Sequence, residues 1–246
     1  MDIQEQKTYL YSLFSEYDLQ LSEQQTEQFL LYYRMLIEKN EVMNLTAITD
    51  FKEVCIKHFL DSALLIRYID KDLEKVQEQG ESLSLIDIGT GAGFPGIPLK
   101  IMRPELRITL MDSLQKRIGF LLEVIYSLKL TGIETIHARA EELAREKREI
   151  YDIAVSRAVA YLPILSEYCL PFVKPGGMFI SYKSGKYEEE VKASENAVKI
   201  LGAVKEQVHT FALPDESDRA LLFFRKISPT PKQYPRRSKK IETRPL

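Results

Sequence analysis

The N-terminal third of the chain places hydrophobic residues at helical spacing. In the second such stretch, Ser22 precedes the first helical position and Gln25 follows three residues later, a pair typical of a helix N-terminus. In the third stretch Asp50 is the expected cap, and one face collects Val54, Phe59, Ala63 and Ile66. The predicted helices cover residues 3–14, 22–39 and 52–69. We expect residues 39–50 to form a loop and residues 70–82 to form a helix tail and linker.

From residue 83 onward, short hydrophobic runs of strand length alternate with amphipathic stretches. The predicted strands cover residues 83–89, 107–112, 133–138, 151–156, 176–183, 203–212 and 219–227. The predicted helices begin near Pro95 and cover residues 114–129, 160–171 and 186–201. Strands that alternate with helices predict an α/β fold with a mostly parallel, seven-stranded sheet covered on both faces.

The change of period divides the chain into three predicted parts. These are a helical N-terminal extension over residues 1–80, an α/β domain over residues 81–230 and a basic C-terminal tail over residues 231–246. A chain of 246 residues is long enough for one sizeable α/β domain with a small addition.

Composition narrows the class of protein. Hydrophobic residues make up 45% of the chain and charged residues 28%, which is typical of globular proteins. No apolar run has the length of a membrane span and the N-terminus lacks the features of a signal peptide, so we expect a cytoplasmic protein without a membrane partner. The cysteines Cys55 and Cys169 form no CxxC pair and the three histidines lack ligand spacing, so no structural metal is predicted.

Charge is unevenly distributed, although the net charge is only −2. Residues 1–30 carry six acidic side chains and one basic side chain, whereas residues 225–246 carry eight basic and one acidic. A basic C-terminus suggests a polyanionic partner, and a solvated, disordered tail is the competing interpretation. Charge alone slightly favours the disordered tail.

A glycine-rich turn, DIGTGAGFPG over residues 87–96, follows the first predicted strand and precedes a helix. Glycines permit positive φ and let a ligand approach the backbone, while the helix N-terminus offers free N–H groups. Gly91, Gly93 and Gly96 also match the pattern of dinucleotide-binding proteins. The glycines therefore predict a nucleotide-like cofactor without identifying it.

Two acidic residues at strand ends favour S-adenosylmethionine over a dinucleotide. Asp87 stands two positions before Gly89, where a carboxylate would repel a pyrophosphate but attract the amino group and sulfonium of S-adenosylmethionine. Asp112 ends the second strand, and a carboxylate there can bind ribose hydroxyls in either kind of site. A nicotinamide-dependent oxidoreductase is the alternative, and titration with the two cofactors would separate the hypotheses.

The third and fourth strand ends supply further candidates. Ala140 and Glu141 lie where this type of site holds adenine, although Glu141 could instead cap the following helix. Arg157 ends the fourth strand, where a methyl acceptor would be presented, and a surface salt bridge is the less favoured interpretation. Neither an Asn- or Asp-Pro-Pro-aromatic motif nor a Pro-Cys nucleophile follows this strand, which argues against exocyclic amino methylation and pyrimidine-carbon methylation.

With these residues placed, the chain resembles the RsmG (GidB) family of 16S rRNA guanine-N7 methyltransferases from about residue 40 to residue 246. The motifs that carry the resemblance are NLTAI (44–48), HFLDS (58–62), DIGTGAGFPGIPL (87–99), DSLxKR (112–117), RAE (139–141), SRA (156–158) and KxG (183–185). One departure lies in the tail, where a Pro-Gly-Thr-Pro-like stretch usual in the family is absent after Tyr234-Pro235-Arg236.

The resemblance implies a class I, Rossmann-like methyltransferase that uses S-adenosylmethionine and has a small helical N-terminal part. It implies a target guanine, number 527, in the 530 loop of 16S rRNA in the small ribosomal subunit. We expect the enzyme to act as a monomer. Together with the acidic residues and the glycine turn, the predicted cofactor-binding set is Asp87, Gly89, Gly91, Phe94, Asp112, Ala140, Glu141 and Arg157.

Guanine N7 carries an in-plane lone pair and no proton, so its methylation needs no general base. We therefore predict no proton-transfer residue and regard Arg157 as a candidate positioning residue. Candidates on the acceptor side are Asn44, Thr46, His58 and Arg157. For His58 and Asp61, a pair on a helix surface three residues apart is the competing explanation.

The basic tail is expected to contact RNA phosphates, which add affinity but little sequence information. Lys116, Arg117 and Lys183 are expected to extend that surface. A non-enzymatic RNA-binding or assembly factor is the remaining alternative, because the basic tail alone would also suit such a protein.

Overall fold

The computed structural model describes residues 1–78, 80–157 and 159–246. Its first two helices are α1 (Ile3–Ser15) and α2 (Glu23–Met43). Both begin with reciprocal capping boxes, in which Asp2 pairs with Glu5 and Ser22 with Gln25. The predicted start of α2 is confirmed, whereas its end lies four residues beyond the predicted residue 39.

The third predicted helix is interrupted. The chain forms α3 (Phe51–Val54), a π-helical segment (Cys55–Leu60), α4 (Asp61–Ala63) and, after a turn, α5 (Ile66–Glu78). The prediction of one regular helix over residues 52–69 is therefore wrong, although Asp50 caps α3 and the predicted apolar face is buried. Wider π-helical turns occur often at functional sites, and this one contains His58 and ends beside Asp61.

Seven strands form one sheet. They are β1 (Ser84–Ile88), β2 (Arg107–Asp112), β3 (Ile133–His137), β4 (Tyr151–Arg157), β5 (Val173–Ser184), β6 (Ala203–Ala212) and β7 (Asp218–Lys226). Their order is β3-β2-β1-β4-β5-β7-β6, and β7 runs antiparallel to the other six strands. The predicted mostly parallel, seven-stranded sheet is confirmed.

Helices cover both faces of this sheet. The remaining ones are α6 (Gly96–Met102), α7 (Gln115–Ser127), α8 (Ala140–Glu146), α9 (Leu162–Cys169), α10 (Glu188–Ile200) and α11 (Ser238–Thr243). Successive residues of β1 face opposite sides, as the strand period of two requires: Leu85 belongs to a hydrophobic cluster with residues of the helices α1–α7, and Ile86 to a second cluster with residues of α8–α10. The N-terminal helices thus share a continuous core with the sheet. The boundary near residue 80 stays a prediction.

The C-terminal segment (residues 230–246) packs against the sheet domain. Ile241 in α11 is fully buried, and Arg148 donates to backbone carbonyls of the segment, among them that of Tyr234 at 2.8 Å. Glu167 accepts hydrogen bonds from both the backbone and the guanidinium of Arg236. The disordered-tail interpretation is therefore wrong, because specific buried contacts fix the segment. Among the described residues, no helix has the length and apolarity that crossing a bilayer requires.

Candidate functional site

A cavity of about 510 Å³ lies at the carboxyl ends of β1, β2 and β3. The strand order reverses between β1 and β4, and open α/β sheets bind ligands at such a switch point. Four of the predicted cofactor-binding residues line the cavity, namely Gly89, Asp112, Ala140 and Glu141. The other four lie beside or beneath it, as described below.

The glycine turn meets this cavity at its first glycine, Gly89. Gly89 and Gly91 have φ values of +70° and +62°, in the left-handed region that side chains disfavour. The backbone N–H of Gly89 donates to the carbonyl of Met111, which ties the turn to β2. A Cβ atom on Gly89 would lie 2.6 Å from the Val159 side chain, so the turn and the loop after β4 approach as closely as only glycine allows.

Asp87 lies beneath the turn and is fully buried. Its Oδ2 accepts hydrogen bonds from the Thr90 hydroxyl at 2.6 Å and from the Gly96 N–H at 2.8 Å. Its Oδ1 is buried and has no hydrogen-bond partner among the described residues. Burial raises the pKa of Asp87 to about 6. Part of this carboxylate therefore organises the turn, and one buried oxygen is left without a hydrogen bond from the described residues.

Asp112 connects the turn to the next loop. Its Oδ2 accepts from the Gly91 N–H at 3.0 Å, and its Oδ1 accepts from the Leu114 N–H at 2.9 Å. Arg117 forms a salt bridge with Asp112 at 3.1 Å and lines the cavity. The Arg117 side chain is still 35% exposed, so the expectation that it extends a phosphate-binding surface stays a prediction. Lys116 is exposed, as expected.

Ala140 and Glu141 begin α8, which follows β3, so they line the cavity two strands away from Gly89 at the end of β1. The N-cap of α8 is Arg139, and no side chain caps it, so the interpretation of Glu141 as a helix cap is wrong. The Glu141 carboxylate instead accepts from the Arg139 guanidinium at 2.7 Å. Both predicted residues therefore face the ligand space.

Phe94 and Arg157 belong to a second cluster, next to the glycine turn and built on the π-helical segment. The Arg157 guanidinium donates to Asp61 Oδ2 and to the Lys57 carbonyl, both at 3.0 Å, and lies 5.0 Å from the centre of the Phe94 ring. The His58 ring stacks on Phe94 with their centres 4.6 Å apart. We call Thr46, His58, Asp61, Phe94 and Arg157 the acceptor-side cluster.

The structure corrects two interpretations of this cluster. The salt bridge of Arg157 is largely buried, since the Asp61 side chain is only 5% exposed. His58 and Asp61 do not form a pair on a helix surface, because both face Arg157. Asn44 caps the C-terminal end of α2 in the left-handed conformation. Its side chain is exposed and lies away from the hydrogen bonds described for the cluster.

His58 is a neutral imidazole at physiological pH. Burial, followed by the positive charge of Arg157, lowers the pKa of His58 to about 3. The Thr46 hydroxyl lies 2.8 Å from its Nε2, and Thr46 also accepts from the Ile48 N–H. The loop that precedes α3 is thereby tied to the aromatic stack, and the histidine is held in one orientation.

Lys183 acts on the loop that follows β4. Its ammonium donates to the Ala160 carbonyl at 3.0 Å and to Glu190 at 2.6 Å, and Glu190 accepts from the Leu162 N–H. Lys183 is therefore not the surface cation for RNA that the sequence predicted. It fixes a wall of the cavity instead. Ala158, part of the SRA motif in this loop, lies outside the described residues.

Two polar residues of the cavity wall were not predicted from the sequence. Tyr168 in α9 and Glu242 in α11 both line it, and the Tyr168 hydroxyl donates to Glu242 at 3.2 Å. They are 74 residues apart in the chain, and neither belongs to a motif that indicates a ligand. Only the position of the C-terminal segment brings them together.

The sequence is similar to known rRNA-modifying proteins over most of its length. The family model described as rRNA small subunit methyltransferase G (GidB) matches residues 25–221. Proteins named ribosomal RNA small subunit methyltransferase G share 52% identity in Lachnoclostridium phytofermentans, over 93% of this chain and 92% of the relative, and 48% in Bacillus velezensis, over 92% of each.

Solved structures show the same fold at low sequence identity. TYW2 from M. jannaschii in complex with AdoMet matches with a TM-score of 0.50 and 16% identity, over 63% of this chain and 75% of that one. A mutant 16S rRNA (adenine(1408)-N(1))-methyltransferase from Catenulisporales acidiphilia matches with a TM-score of 0.52 and 15% identity, over 65% and 92%. The predicted class I methyltransferase fold is confirmed.

Proposed function

This chain belongs to the family of rRNA small subunit methyltransferases G, and from that premise we propose that it methylates N7 of a guanine in the 530 loop of 16S rRNA, the family target guanine 527. The enzyme uses S-adenosylmethionine as its cofactor. Family membership argues against both alternative hypotheses, the nicotinamide-dependent oxidoreductase and the non-enzymatic RNA-binding factor.

The cavity fits this cofactor in size and in chemistry. Its volume of about 510 Å³ lies within the range of sites for small molecules, roughly 300–1,000 Å³. The unpartnered, buried Oδ1 of Asp87 suits a nearby ammonium group, and Gly89, which carries no Cβ, lets the loop after β4 close on the turn beside this cavity. When bound, the cofactor supplies an electrophilic methyl group on a sulfonium.

The order of residues along the cavity supports one orientation of the cofactor. Asp112 stands in the middle and would accept hydrogen bonds from the ribose hydroxyls. The Gly91 N–H donates to this carboxylate and holds it in place. The backbone of Ala140 and Glu141 at the far end would flank the adenine. The amino-acid end then lies over Gly89, next to the acceptor-side cluster, where Phe94 and Arg157 would limit the position of the methyl group.

The observation that supports N7 as the acceptor is the burial of the histidine beside the glycine turn, against the Arg157 guanidinium, which makes His58 a weak base. The pKa of His58 is about 3, so its conjugate acid is too strong to form readily by removing a proton from an exocyclic amine. N7 has no proton to lose. Asp61 balances the charge of Arg157, which reduces repulsion of the positive charge that the methylated ring acquires.

The chain's contribution to catalysis is therefore alignment and exclusion of water. The π-helical segment and the Thr46–His58 contact fix one wall, and Lys183 fixes the loop after β4. Alignment of two reactants can supply a large part of a rate enhancement without any proton transfer. Arg157 is a positioning residue for the base, because it is rigidly held by Asp61.

The C-terminal segment supports an RNA-binding role at the mouth of the cavity. Arg237, Lys239 and Lys240 are exposed on or beside α11, while Glu242 of the same helix lines the cavity. Phosphate contacts by these cations would hold the RNA beside the site, so that a loop guanine can be splayed into it. Because the residues that line the cavity all belong to one chain, we propose that the active form is a monomer. We propose that it acts in the cytoplasm, where the ribosomal RNA is.

The test uses small subunits that lack the modification. The purified enzyme is incubated with S-adenosylmethionine and with these subunits or their naked 16S rRNA, and N7-methylguanine is mapped by reduction, chain cleavage and primer extension. We expect one new cleavage site in the 530 loop that depends on cofactor and enzyme. Methylation at another atom or in another region, with no product in this loop, would refute the assignment.

A further inference from the structure

The far end of the cofactor cavity is closed by residues from the C-terminal segment rather than by the sheet domain alone. Glu242 of α11 and Tyr168 of α9 line this end together with Glu141. The family motifs quoted above include neither Glu242 nor Tyr168. Their position raises the question of which part of the cofactor they meet.

The segment is anchored firmly enough to form a wall. The Glu167 carboxylate is fully buried and pairs with the Arg236 guanidinium at 2.6 Å, and Ile241 of α11 is fully buried. Ser238, at the start of α11, accepts from the Arg139 guanidinium at 2.6 Å, which ties the helix to the residue before Ala140. Glu242 is therefore held at the rim of the cavity.

The positions of the other residues determine which end this is. The methyl donor must face the acceptor-side cluster, which contains Phe94 and lies next to the glycine turn. Asp112, in the middle, is the carboxylate placed for the ribose hydroxyls. The purine must then extend beyond Asp112, toward Ala140, Tyr168 and Glu242.

The two carboxylates at this end differ in their partners. Glu141 accepts from the cationic guanidinium of Arg139, which neutralises it. Glu242 Oε1 instead accepts from two neutral hydroxyls, that of Tyr168 at 3.2 Å and that of Ser238 at 2.8 Å. Within the described parts of the chain, Glu242 Oε2 accepts no hydrogen bond, so this end of the cavity presents a charged acceptor oriented by two donors.

We propose that the Glu242 carboxylate accepts a hydrogen bond from the 6-amino group of the cofactor's purine. Tyr168 is the positioning residue that orients the Glu242 carboxylate. A 6-amino group donates hydrogen bonds to a carboxylate, whereas the 6-oxo group of hypoxanthine would place an acceptor against it. Sites that hydrogen-bond one group discriminate strongly against an analogue that lacks the partner. This inference rests on the proposed function, because it requires the cofactor to occupy this cavity.

Calorimetric titration with S-adenosylhomocysteine and with its inosine analogue tests the inference without a turnover assay. We expect the wild-type chain to bind the adenosine compound at least about tenfold more tightly, since a hydrogen bond to a charged group has this magnitude. In Glu242→Gln the amide can donate to the 6-oxo group, so the ratio of the two affinities should fall about tenfold. Tyr168→Phe should lower the ratio by a smaller factor.

The matched control is Glu195→Gln, which changes an exposed glutamate of α10 and should keep the wild-type ratio. A ratio in Glu242→Gln equal to that of the wild type, with both compounds still bound, would overturn the inference and leave the proposed function intact. Failure of the wild-type chain to bind S-adenosylhomocysteine would instead count against the proposed function itself.

Discussion

Glu167 and Arg236 form the buried ion pair that attaches the C-terminal segment to α9. The Glu167 side chain has no exposed surface and that of Arg236 is 13% exposed. The carboxylate accepts from the Arg236 backbone N–H at 2.7 Å and from its Nη2 at 2.6 Å. Replacing it by glutamine keeps the size of the side chain, but it removes the charge and turns one acceptor into a donor that faces the guanidinium.

The expected cost of Glu167→Gln follows from this geometry. Removing one partner of a buried ion pair costs about 3–5 kcal/mol, and partial exposure of Arg236 favours the lower end, about 3 kcal/mol. Because residues 230–246 contribute no strand to the sheet, we expect this loss to appear as local opening of the segment. A change of 3 kcal/mol raises the population of the open segment about 100-fold.

Hydrogen exchange measured by mass spectrometry is the direct assay. The amides of α11 should exchange about 100-fold faster in Glu167→Gln, while those of β1 and β4 keep their wild-type rates. Glu195→Gln is the control, since this exposed residue should leave every rate unchanged. Unaltered exchange in α11, or equal acceleration throughout the sheet, would show that the pair does not hold the segment as reasoned here.

Three further outcomes are expected. Gly89→Ala should weaken cofactor binding at least tenfold, because the new methyl group would lie 2.6 Å from the Val159 side chain and the φ of this residue is +70°. In the same titration the control Gly119→Ala in α7, which has open space around it, should bind the cofactor normally. Burial raises the pKa of Asp87 to about 6, so its carboxylate is charged above that pH and cofactor affinity should rise about tenfold from pH 5 to pH 7. An equally steep pH dependence of cofactor affinity in Asp87→Asn would contradict this. Replacing Lys239 and Lys240 by glutamine should flatten the salt dependence of rRNA binding by up to about two units of slope without changing cofactor affinity, and an unchanged slope would exclude these lysines from the phosphate contacts.

The amino-acid sequence alone determined the elements that depend on local pattern. Strand and helix periods predicted the sheet and most helices, and the glycine turn with Asp87 and Asp112 predicted the cofactor, because backbone freedom and strand-end position are local properties. The same local reasoning missed the break in the third helix. A π-helical segment has no simple periodic signature, and it is stabilised by contacts such as that between Arg157 and the Lys57 carbonyl.

Only the tertiary structure decided how charged side chains are used. From the sequence, Lys183 and Arg117 were expected to be surface cations, and only the fold shows that they pair with Glu190 and Asp112 around the cavity. Asp87 was placed at the right strand end, but its burial beneath the turn could not be inferred, because burial depends on what packs above a residue.

The C-terminal segment shows the same division most clearly. Its basic composition could be read directly and suggested an anionic partner, but its attachment depends on the match between Arg236 and Glu167, 69 residues earlier. Pairings over such separations depend on strand order and on the packing of α9 against the sheet, and neither is encoded in a local window of sequence. For this reason the fold and the cofactor could be predicted from the chain, whereas the wall that closes the cavity could be recognised only in three dimensions.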